Sequence, residues 1–155
     1  MDQQSQDYLE KFLESLSYSK RKQYQSFSSD YFCNDELNAN LCAELIRSGE
    51  KTATCSLKYW YDSGTEPIPI VGHLQVVTNW SGKPVCIIEI VLVSQCQYSD
   101  VTEEFAQLEG EGDRSLKWWK KAHWDFFTQE CKSLNIQPTE TMMLLLEQFR
   151  VVYKS

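Results

Sequence analysis

Long apolar runs are missing from this sequence of 155 residues, and no segment has the length needed to cross a bilayer. The first seven residues have neither the basic start nor the apolar core of a signal peptide. Basic residues are also fewer than acidic ones: the chain has 15 Lys and Arg and 22 Asp and Glu, which gives a net charge of −7. This balance argues against non-specific coating of nucleic acid, which needs many phosphate contacts. We therefore expect a cytoplasmic protein without membrane contact, in which a few local cations can still form a pocket.

Recognisable metal and phosphate motifs are also missing. The six cysteines form no Cys-x-x-Cys pair and only two histidines are present, so the ligands for a zinc site are few. Neither of the common glycine-rich phosphate loops occurs. The sequence therefore predicts no metal site and no cofactor, and the cysteines are interpreted as reduced and mostly buried small hydrophobes.

The apolar pattern predicts one α+β domain. Hydrophobic residues make up 42% of the chain and aromatic residues 13%, which is a globular composition. Helical spacing predicts five segments, of which the second has an extended arm as its alternative. They are residues 7–16, 17–29, 35–48 with Gly49 at its C-terminal end, a helix after the capping sequence 99–103, and 115–132 capped by Asp113.

Strand patterns occupy the middle and the end of the chain. Residues 52–57 are rich in small and β-branched side chains, and residues 74–78 and 85–93 are predicted to form a hairpin around the turn at 79–83. Residues 141–152 are predicted to form the last strand. Strands and helices do not alternate regularly, so a small mixed or antiparallel sheet fits better than a doubly wound one.

The first candidate site follows the change of period at Gly49. A threonine hydroxyl such as that of Thr54 becomes nucleophilic when a base removes its proton. Lys51 is suited to this role if burial lowers its pKa. Residues three apart on a regular strand face opposite sides, so Lys51 and Thr54 meet only if the chain bends after Gly49. The alternative is a solvated lysine beside an ordinary strand threonine.

The second candidate is Glu89, which interrupts the most apolar run of the chain. A buried carboxylate is costly unless it is paired, so Glu89 is expected to have a partner. If the partner is Lys51, then Lys51, Thr54 and Glu89 form one catalytic constellation. The alternative is an ion pair that only fixes strand register, or an exposed strand edge.

The third candidate is the acidic turn at residues 109–113, where glycines separate Glu109, Glu111 and Asp113. Such carboxylates can hold a divalent cation or position a substrate, but they can also cap a helix. Basic and aromatic residues interleave directly after the turn, an arrangement that suits base stacking as well as an ordinary amphipathic helix. Within this segment we predict that Trp119 lies in the core and Trp118 is more exposed. The candidate ligand contacts here are Arg114, Lys117 and Trp118.

Three segments in this order resemble the ASCH (activating signal cointegrator homology) family, in the PUA-like group of small β-barrels. They are residues 49–54, the hairpin 80–89 and residues 105–119, and the similarity spans roughly residues 37–152. The resemblance is to the bacterial branch with an N-terminal helical extension, here residues 1–34. It implies a single domain over residues 1–155, a small mixed β-barrel surrounded by helices with a cleft at its side. It also implies that the partner is RNA or a modified nucleoside or nucleotide.

Some small members of this family are amidohydrolases that remove the acyl group from N4-acylated cytidine. Their Lys-x-x-Thr motif and strand glutamate match Lys51, Thr54 and Glu89, which implies Thr54 as nucleophile, Lys51 as its base and Glu89 as the group that orients the substrate. Other members are metal-dependent ribonucleases, which would place Lys51, Arg114 or Lys117 on phosphate and a divalent cation at the acids of 109–113.

A third alternative is a non-catalytic RNA-binding module that stacks bases on exposed aromatic residues such as Tyr59, Trp60 or Trp118. The acidic net charge favours a small substrate over a long polymer, and so favours the hydrolase over the other two.

Overall fold

Five strands form one mixed sheet in the computed structural model, which describes residues 1–155. Six helices and a short 3-10 turn at Tyr98–Asp100 surround the sheet. The helices are α1 (Gln3–Glu14), α2 (Tyr18–Arg21), α3 (Glu36–Ser48), α4 (Tyr59–Asp62), α5 (Glu103–Glu109) and α6 (Leu116–Ser133). The strands are β1 (Phe27–Asp30), β2 (Ala53–Leu57), β3 (Leu74–Thr78), β4 (Pro84–Gln97) and β5 (Met143–Lys154).

The predicted β3–β4 hairpin is present and forms the centre of the sheet, whose strand order is β1-β3-β4-β5-β2. β4 pairs with β3 along its first half and with β5 along nearly its whole length, and its register shifts between Ile87 and Ile88 and between Ile90 and Leu92. Such irregularities increase the local twist and curl a sheet. The edge strands β1 and β2 do not pair with each other, so the curled sheet stays open between them.

The N-terminal residues pack on one face of this sheet. Leu9, Phe12 and Leu13 of α1 form a buried cluster with Leu74, Val76 and Ile87 of β3 and β4. Residues 1–34, for which a helical extension is predicted, contain α1 and α2 but also the strand β1. That strand pairs in parallel with β3. The segment therefore contributes an edge of the sheet as well as a cover for its face.

The helix ends agree with the predicted caps except at α6. Asp35 caps α3 by accepting a hydrogen bond from Asn38 N, and Gly49 ends the helix at a φ of 84°. Thr102, within the predicted capping sequence 99–103, caps α5 by accepting a hydrogen bond from Phe105 N, and residues 98–100 form the 3-10 turn. The cap of α6 is Ser115, not Asp113, which accepts instead from Ser115 N.

Helices α5 and α6 pack against β2 and β5 on the other side. The buried cluster there includes Phe105, Trp119 and Phe127 together with Ala53 and Leu144. Trp119 is buried and Trp118 is exposed, as predicted. No helix of the chain is long and apolar enough to span a membrane. The packing of α5 and α6 brings the turn between them against the start of β2.

Candidate functional site

The Lys51 side chain is buried because the chain turns sharply at the C-terminus of α3. The backbone amides of Glu50 and Lys51 both donate to Leu45 O at 2.9 Å, and Thr52 N then donates to Leu108 O at 2.8 Å. This path bends the chain after Gly49, and the Lys51 side chain is only 2% exposed. The bend that the sequence analysis requires for Lys51 and Thr54 to lie on one side is present at this helix C-cap.

The acidic turn between α5 and α6 lies directly against this bend. A Cβ atom at Gly110 would collide with the carbonyl oxygen of Glu50, and Gly110 also has a left-handed φ of 69°. Only glycine therefore allows the two segments to approach so closely. The approach places Glu109 and Glu111, on either side of Gly110, beside the same ammonium group.

The Lys51 ammonium donates two hydrogen bonds and has a further carboxylate in ion-pair contact. Nζ donates to Ala53 O at 2.8 Å and to Glu111 Oε2 at 3.0 Å, and Glu109 Oε2 lies 3.6 Å away. Burial alone would lower the pKa of Lys51, but the negative charges of Glu109 and Glu111 outweigh burial and raise the pKa above its usual value. This corrects the expectation that burial would lower the Lys51 pKa for a base role. Lys51 is held here as a cation.

Glu109 is a buried carboxylate with two cationic or donor neighbours. Burial favours its neutral form, but Lys51 and His123 together hold its pKa below the usual value. His123 Nε2 lies 3.0 Å from Glu109 Oε2, and His123 Nδ1 lies 2.9 Å from Trp119 O. The imidazole ring also stacks on Trp119, with centroids 4.1 Å apart and planes at 13°. The histidine is therefore fixed in position and orients the carboxylate.

One oxygen of Glu109 has no partner. Oε1 is buried and makes no hydrogen bond, and its neighbour Cys55 offers only a thiol, which is a weak donor. A buried carboxylate oxygen without a donor is unfavourable, and such groups in native structures call for an explanation such as an absent water, ion or ligand. Glu109 is also one of the residues that line a cavity.

This cavity has a volume of about 300 Å³ and is partly open to solvent. Thr54 of β2 lines it together with the charged residues, and aromatic side chains form part of its wall. The lining residues are Phe32, Cys33, Asn34, Asn38, Lys51, Thr54, Cys55, Glu109, Glu111, Trp118, Ala122, His123 and Phe126. The volume is at the lower end of the range for small-molecule sites, about 300–1,000 Å³.

Five of the predicted site residues therefore line one pocket: Lys51, Thr54, Glu109, Glu111 and Trp118. Glu89 does not line it. Its carboxylate accepts from Arg150 at 2.7 Å and 3.0 Å, and the two residues are direct partners across β4 and β5. The hypothesis that Glu89 pairs with Lys51 is therefore wrong. The β4–β5 register places Arg150 opposite Glu89, and Arg150 is its partner.

The other predicted contacts lie outside the pocket lining. Trp60 packs against the core cluster and donates to Glu130, and Tyr59 is exposed beside it. Arg114 is paired with Glu50 at 2.9 Å on the surface. Asp113 and Lys117 border a separate shallow depression next to α6. None of these five faces the buried charges.

His123 and Cys55 were missed as site residues by sequence reasoning. In the helical pattern His123 falls on the same side as Trp119 and Phe127, which suggests a core position. The only signal for it is that a polar side chain stands within this apolar face. Asn34 and Asn38 gave no signal, because they belong to the cap region of α3.

Two groups of three side chains have metal-binding atom types within 4.8 Å of one another. They are Cys33, Cys42 and Glu111, and Cys55, Glu109 and His123. In both groups the carboxylate already lies beside the ammonium of Lys51. A divalent cation at either place would be repelled by this positive charge unless Lys51 moved.

A family model for the ASCH domain matches residues 28–153. A crystal structure of an ASCH domain from Lactobacillus crispatus is 59% identical, with a TM-score of 0.97, and the match covers 99% of this chain and 96% of that one. A structure from Enterococcus faecalis is 28% identical, with a TM-score of 0.76 and coverage of 95% and 84%. An ASCH structure from Zymomonas mobilis, 11% identical with a TM-score of 0.50 and coverage of 83% and 68%, is similar in fold alone.

No curated protein matches the chain. The family match and the 59% identity over nearly the whole length show that this chain belongs to the ASCH domain family, whose PUA-like fold is associated with RNA interaction.

Proposed function

We propose that this chain binds a modified nucleobase or nucleoside in the pocket and hydrolyses an amide bond of it, as in N4-acylated cytidine. The observation that carries the proposal is that Thr54 lines the same cavity as a buried lysine flanked by two carboxylates. A hydroxyl, a fixed cation and carboxylates in one partly enclosed cavity are the groups that acyl transfer requires.

Size and charge favour a nucleoside over a polymer. A cavity of about 300 Å³ can hold a base and its sugar, whereas the net charge of −7 disfavours a long phosphate backbone. Phe32, Trp118 and Phe126 supply aromatic surfaces on which a base can stack. The free Oε1 of Glu109 suits an N–H donor on the base or on the amide itself.

Thr54 is the nucleophile in this proposal. Its hydroxyl oxygen attacks the acyl carbon, the acyl group moves to Thr54 as an ester, and the amide nitrogen leaves with a proton. Water then hydrolyses the ester, which releases the acid and restores the threonine hydroxyl. The reaction needs no oxidant and no bound metal.

Lys51 and the two carboxylates have different roles. Because the pKa of Lys51 is raised, its ammonium group stabilises the negative charge on the acyl oxygen and does not accept the threonine proton. Glu111 is 19% exposed whereas Glu109 is fully buried, so Glu111 is the carboxylate that exchanges protons with Thr54 and the leaving nitrogen. Glu109, held by His123, positions the substrate.

The donor set favours this reaction over metal-dependent ribonuclease activity. The space between Glu109 and Glu111, where a divalent cation would bind, is occupied by Lys51 Nζ. Arg114 and Lys117, the expected phosphate contacts, lie outside the pocket. We therefore expect hydrolysis to be insensitive to EDTA.

The test is hydrolysis of N4-acetylcytidine, with cytidine formation followed by chromatography. We compare the wild type with Thr54→Val, which keeps the side-chain shape and removes the hydroxyl. We expect kcat to fall by about a hundredfold or more in this variant. The matched control is Thr52→Val, since Thr52 is two residues away and its hydroxyl donates to Leu108 O rather than lining the cavity.

Glu109→Gln is the second variant. It removes the negative charge beside Lys51 while keeping the shape, and we expect a higher KM as well as a lower kcat. Equal activity of the wild type and Thr54→Val would refute the nucleophile assignment. Absence of both hydrolysis and measurable nucleoside binding in the wild type would refute the proposed function as a whole.

A further inference from the structure

Two of the six cysteines face each other beside the pocket. All six are free, and the Sγ atoms of Cys33 and Cys42 are 3.2 Å apart. Cys33 precedes α3, is exposed and lines the cavity, whereas Cys42 is buried on α3. No other pair of cysteine sulfurs in the chain is in contact.

The two thiols differ in reactivity. The hydrogen bond shared with Cys42 lowers the pKa of Cys33, while burial and the charge of Glu111 oppose this shift and Lys51 assists it. The hydrogen bond with Cys33, followed by burial, raises the pKa of Cys42. An exposed thiol with a lowered pKa is the one that oxidants attack first, and a buried neighbour is suited to resolve the product.

Cys42 is also linked to the charged centre of the pocket. Its Sγ lies 3.5 Å from Glu111 Oε1, and the other oxygen of Glu111 accepts from Lys51 at 3.0 Å. A change in the protonation or bonding of Cys42 is therefore transmitted to a carboxylate that contacts Lys51. Cys33, in turn, forms part of the cavity wall next to Phe32 and Asn34.

We propose that Cys33 and Cys42 form a reversible disulfide that modifies the pocket, with a peroxide as oxidant. The thiolate of Cys33 attacks one peroxide oxygen, the O–O bond breaks, and Cys33 becomes a sulfenic acid. The thiol of Cys42 then attacks the Cys33 sulfur, the S–S bond forms and water leaves. Two thiols and one hydrogen peroxide give one disulfide and two waters, and a reducing thiol reverses the change.

The sulfurs need to approach from 3.2 Å to about 2.05 Å, which is a small movement for side chains that already touch. The disulfide removes the proton that Cys42 directs at Glu111 and ties the wall segment of Cys33 to α3. A metal ion on Cys33, Cys42 and Glu111 is the competing use of these atoms, but Lys51 at 3.0 Å from Glu111 disfavours a dication there.

The first test needs no substrate. The full chain is reduced, treated with hydrogen peroxide in slight excess, alkylated and digested, and its peptides are identified by mass spectrometry. We expect a Cys33–Cys42 cross-link that disappears after treatment with dithiothreitol and is absent from Cys33→Ser and Cys42→Ser. Cys96→Ser is the matched control, because Cys96 is partly exposed but has no sulfur neighbour, and it should leave the cross-link unchanged.

Two results would overturn the disulfide proposal: both thiols stay alkylatable after peroxide treatment, or Zn²⁺ added to the reduced chain is retained at one ion per chain and blocks oxidation. The effect on catalysis, unlike the disulfide itself, rests on the proposed function. We expect oxidation to raise the KM for N4-acetylcytidine by about threefold, in line with the loss of one weak hydrogen bond, and Cys33→Ser to abolish this sensitivity. A cross-link without any change in KM would refute the regulatory role and leave the disulfide standing.

Discussion

Removal of the buried cation is the sharpest test of the charge arrangement around Lys51. In Lys51→Met the side-chain volume is nearly kept, but Glu109 and Glu111 lose their common partner. At an effective dielectric constant of about 20, a charge pair at 3.0 Å is worth roughly 5 kcal/mol before desolvation is subtracted. Breaking a buried pair from one side costs about 3–5 kcal/mol, because a buried charge is left behind. We expect the free energy of unfolding to fall by about 3 kcal/mol.

The loss should also depend on pH in a defined direction. In the wild type the pKa of Glu109 is lowered, so its contribution to stability is present above the unfolded value of 4.5 and is lost only as pH falls below it. The pKa of Lys51 is raised, so its contribution is present below 10.5 and is lost only as pH rises beyond it. Between these limits the stability that this pair contributes to the wild type is flat.

Without Lys51, burial is the largest remaining influence on Glu109, so we expect the pKa of Glu109 to rise and the variant to lose stability as pH increases. Each unit of that rise is worth about 1.4 kcal/mol. Urea unfolding followed by tryptophan fluorescence at about pH 5.5 and about pH 8 should show the larger loss at the higher pH. Lys51→Met with Glu109→Gln should be more stable than Lys51→Met alone at about pH 8.

Lys121→Met is the control, because Lys121 is 81% exposed and pairs with Asp125 only on the surface. Its effect should stay below about 0.5 kcal/mol. A loss below about 1 kcal/mol in Lys51→Met, or an equal loss at both pH values, would refute the arrangement of a protonated lysine between two ionised carboxylates.

Three further predictions follow from other contacts. Glu89→Gln should lower stability by less than about 1 kcal/mol, because its partner Arg150 is largely exposed. It should leave hydrolysis of N4-acetylcytidine unchanged, because Glu89 does not line the pocket, and a lower kcat would contradict this. Gly112→Ala should destabilise the chain by about 1–3 kcal/mol in urea unfolding, since the new Cβ would collide with the Trp118 ring at a left-handed φ, and unchanged stability would contradict this packing. Burial raises the pKa of Glu147 from 4.5 to about 7, so the contribution of Glu147 to stability is most favourable below 4.5 and is lost as pH rises towards 7. Glu147→Gln should therefore be more stable than the wild type at about pH 8, by about 1–3 kcal/mol, and a stability difference that does not vary between about pH 5 and about pH 8 would contradict this.

Local chemistry made several elements of the fold predictable. Asp35 and Gly49 bound a helix because a side-chain cap and a left-handed glycine act within one turn of the chain, and both ends of α3 agree with the structure to within a residue. The β3–β4 hairpin also follows from a short turn between two apolar runs. β1 and α4 were not predicted, because neither has a period of its own: β1 is a four-residue strand stabilised by pairing with β3.

The candidate site divides in the same way. Lys51, Thr54 and the acidic turn were found because their residue types are unusual at those places in the sequence. That Glu89 needs a partner also followed from its apolar surroundings, but the partner is Arg150 because the β4–β5 register puts these two residues opposite each other. Residue types cannot specify a register between segments about 60 positions apart, since that depends on how the whole sheet pairs.

The sequence by itself determined an acidic α+β chain of the ASCH family, the bend after Gly49 and the residues able to carry chemistry. Only the tertiary structure decided that Glu109, Glu111 and His123, and not Glu89, surround Lys51, because this depends on the close approach that Gly110 permits between the two segments. It also decided the charge of Lys51, since the balance between burial and two carboxylates depends on distances that no local pattern contains.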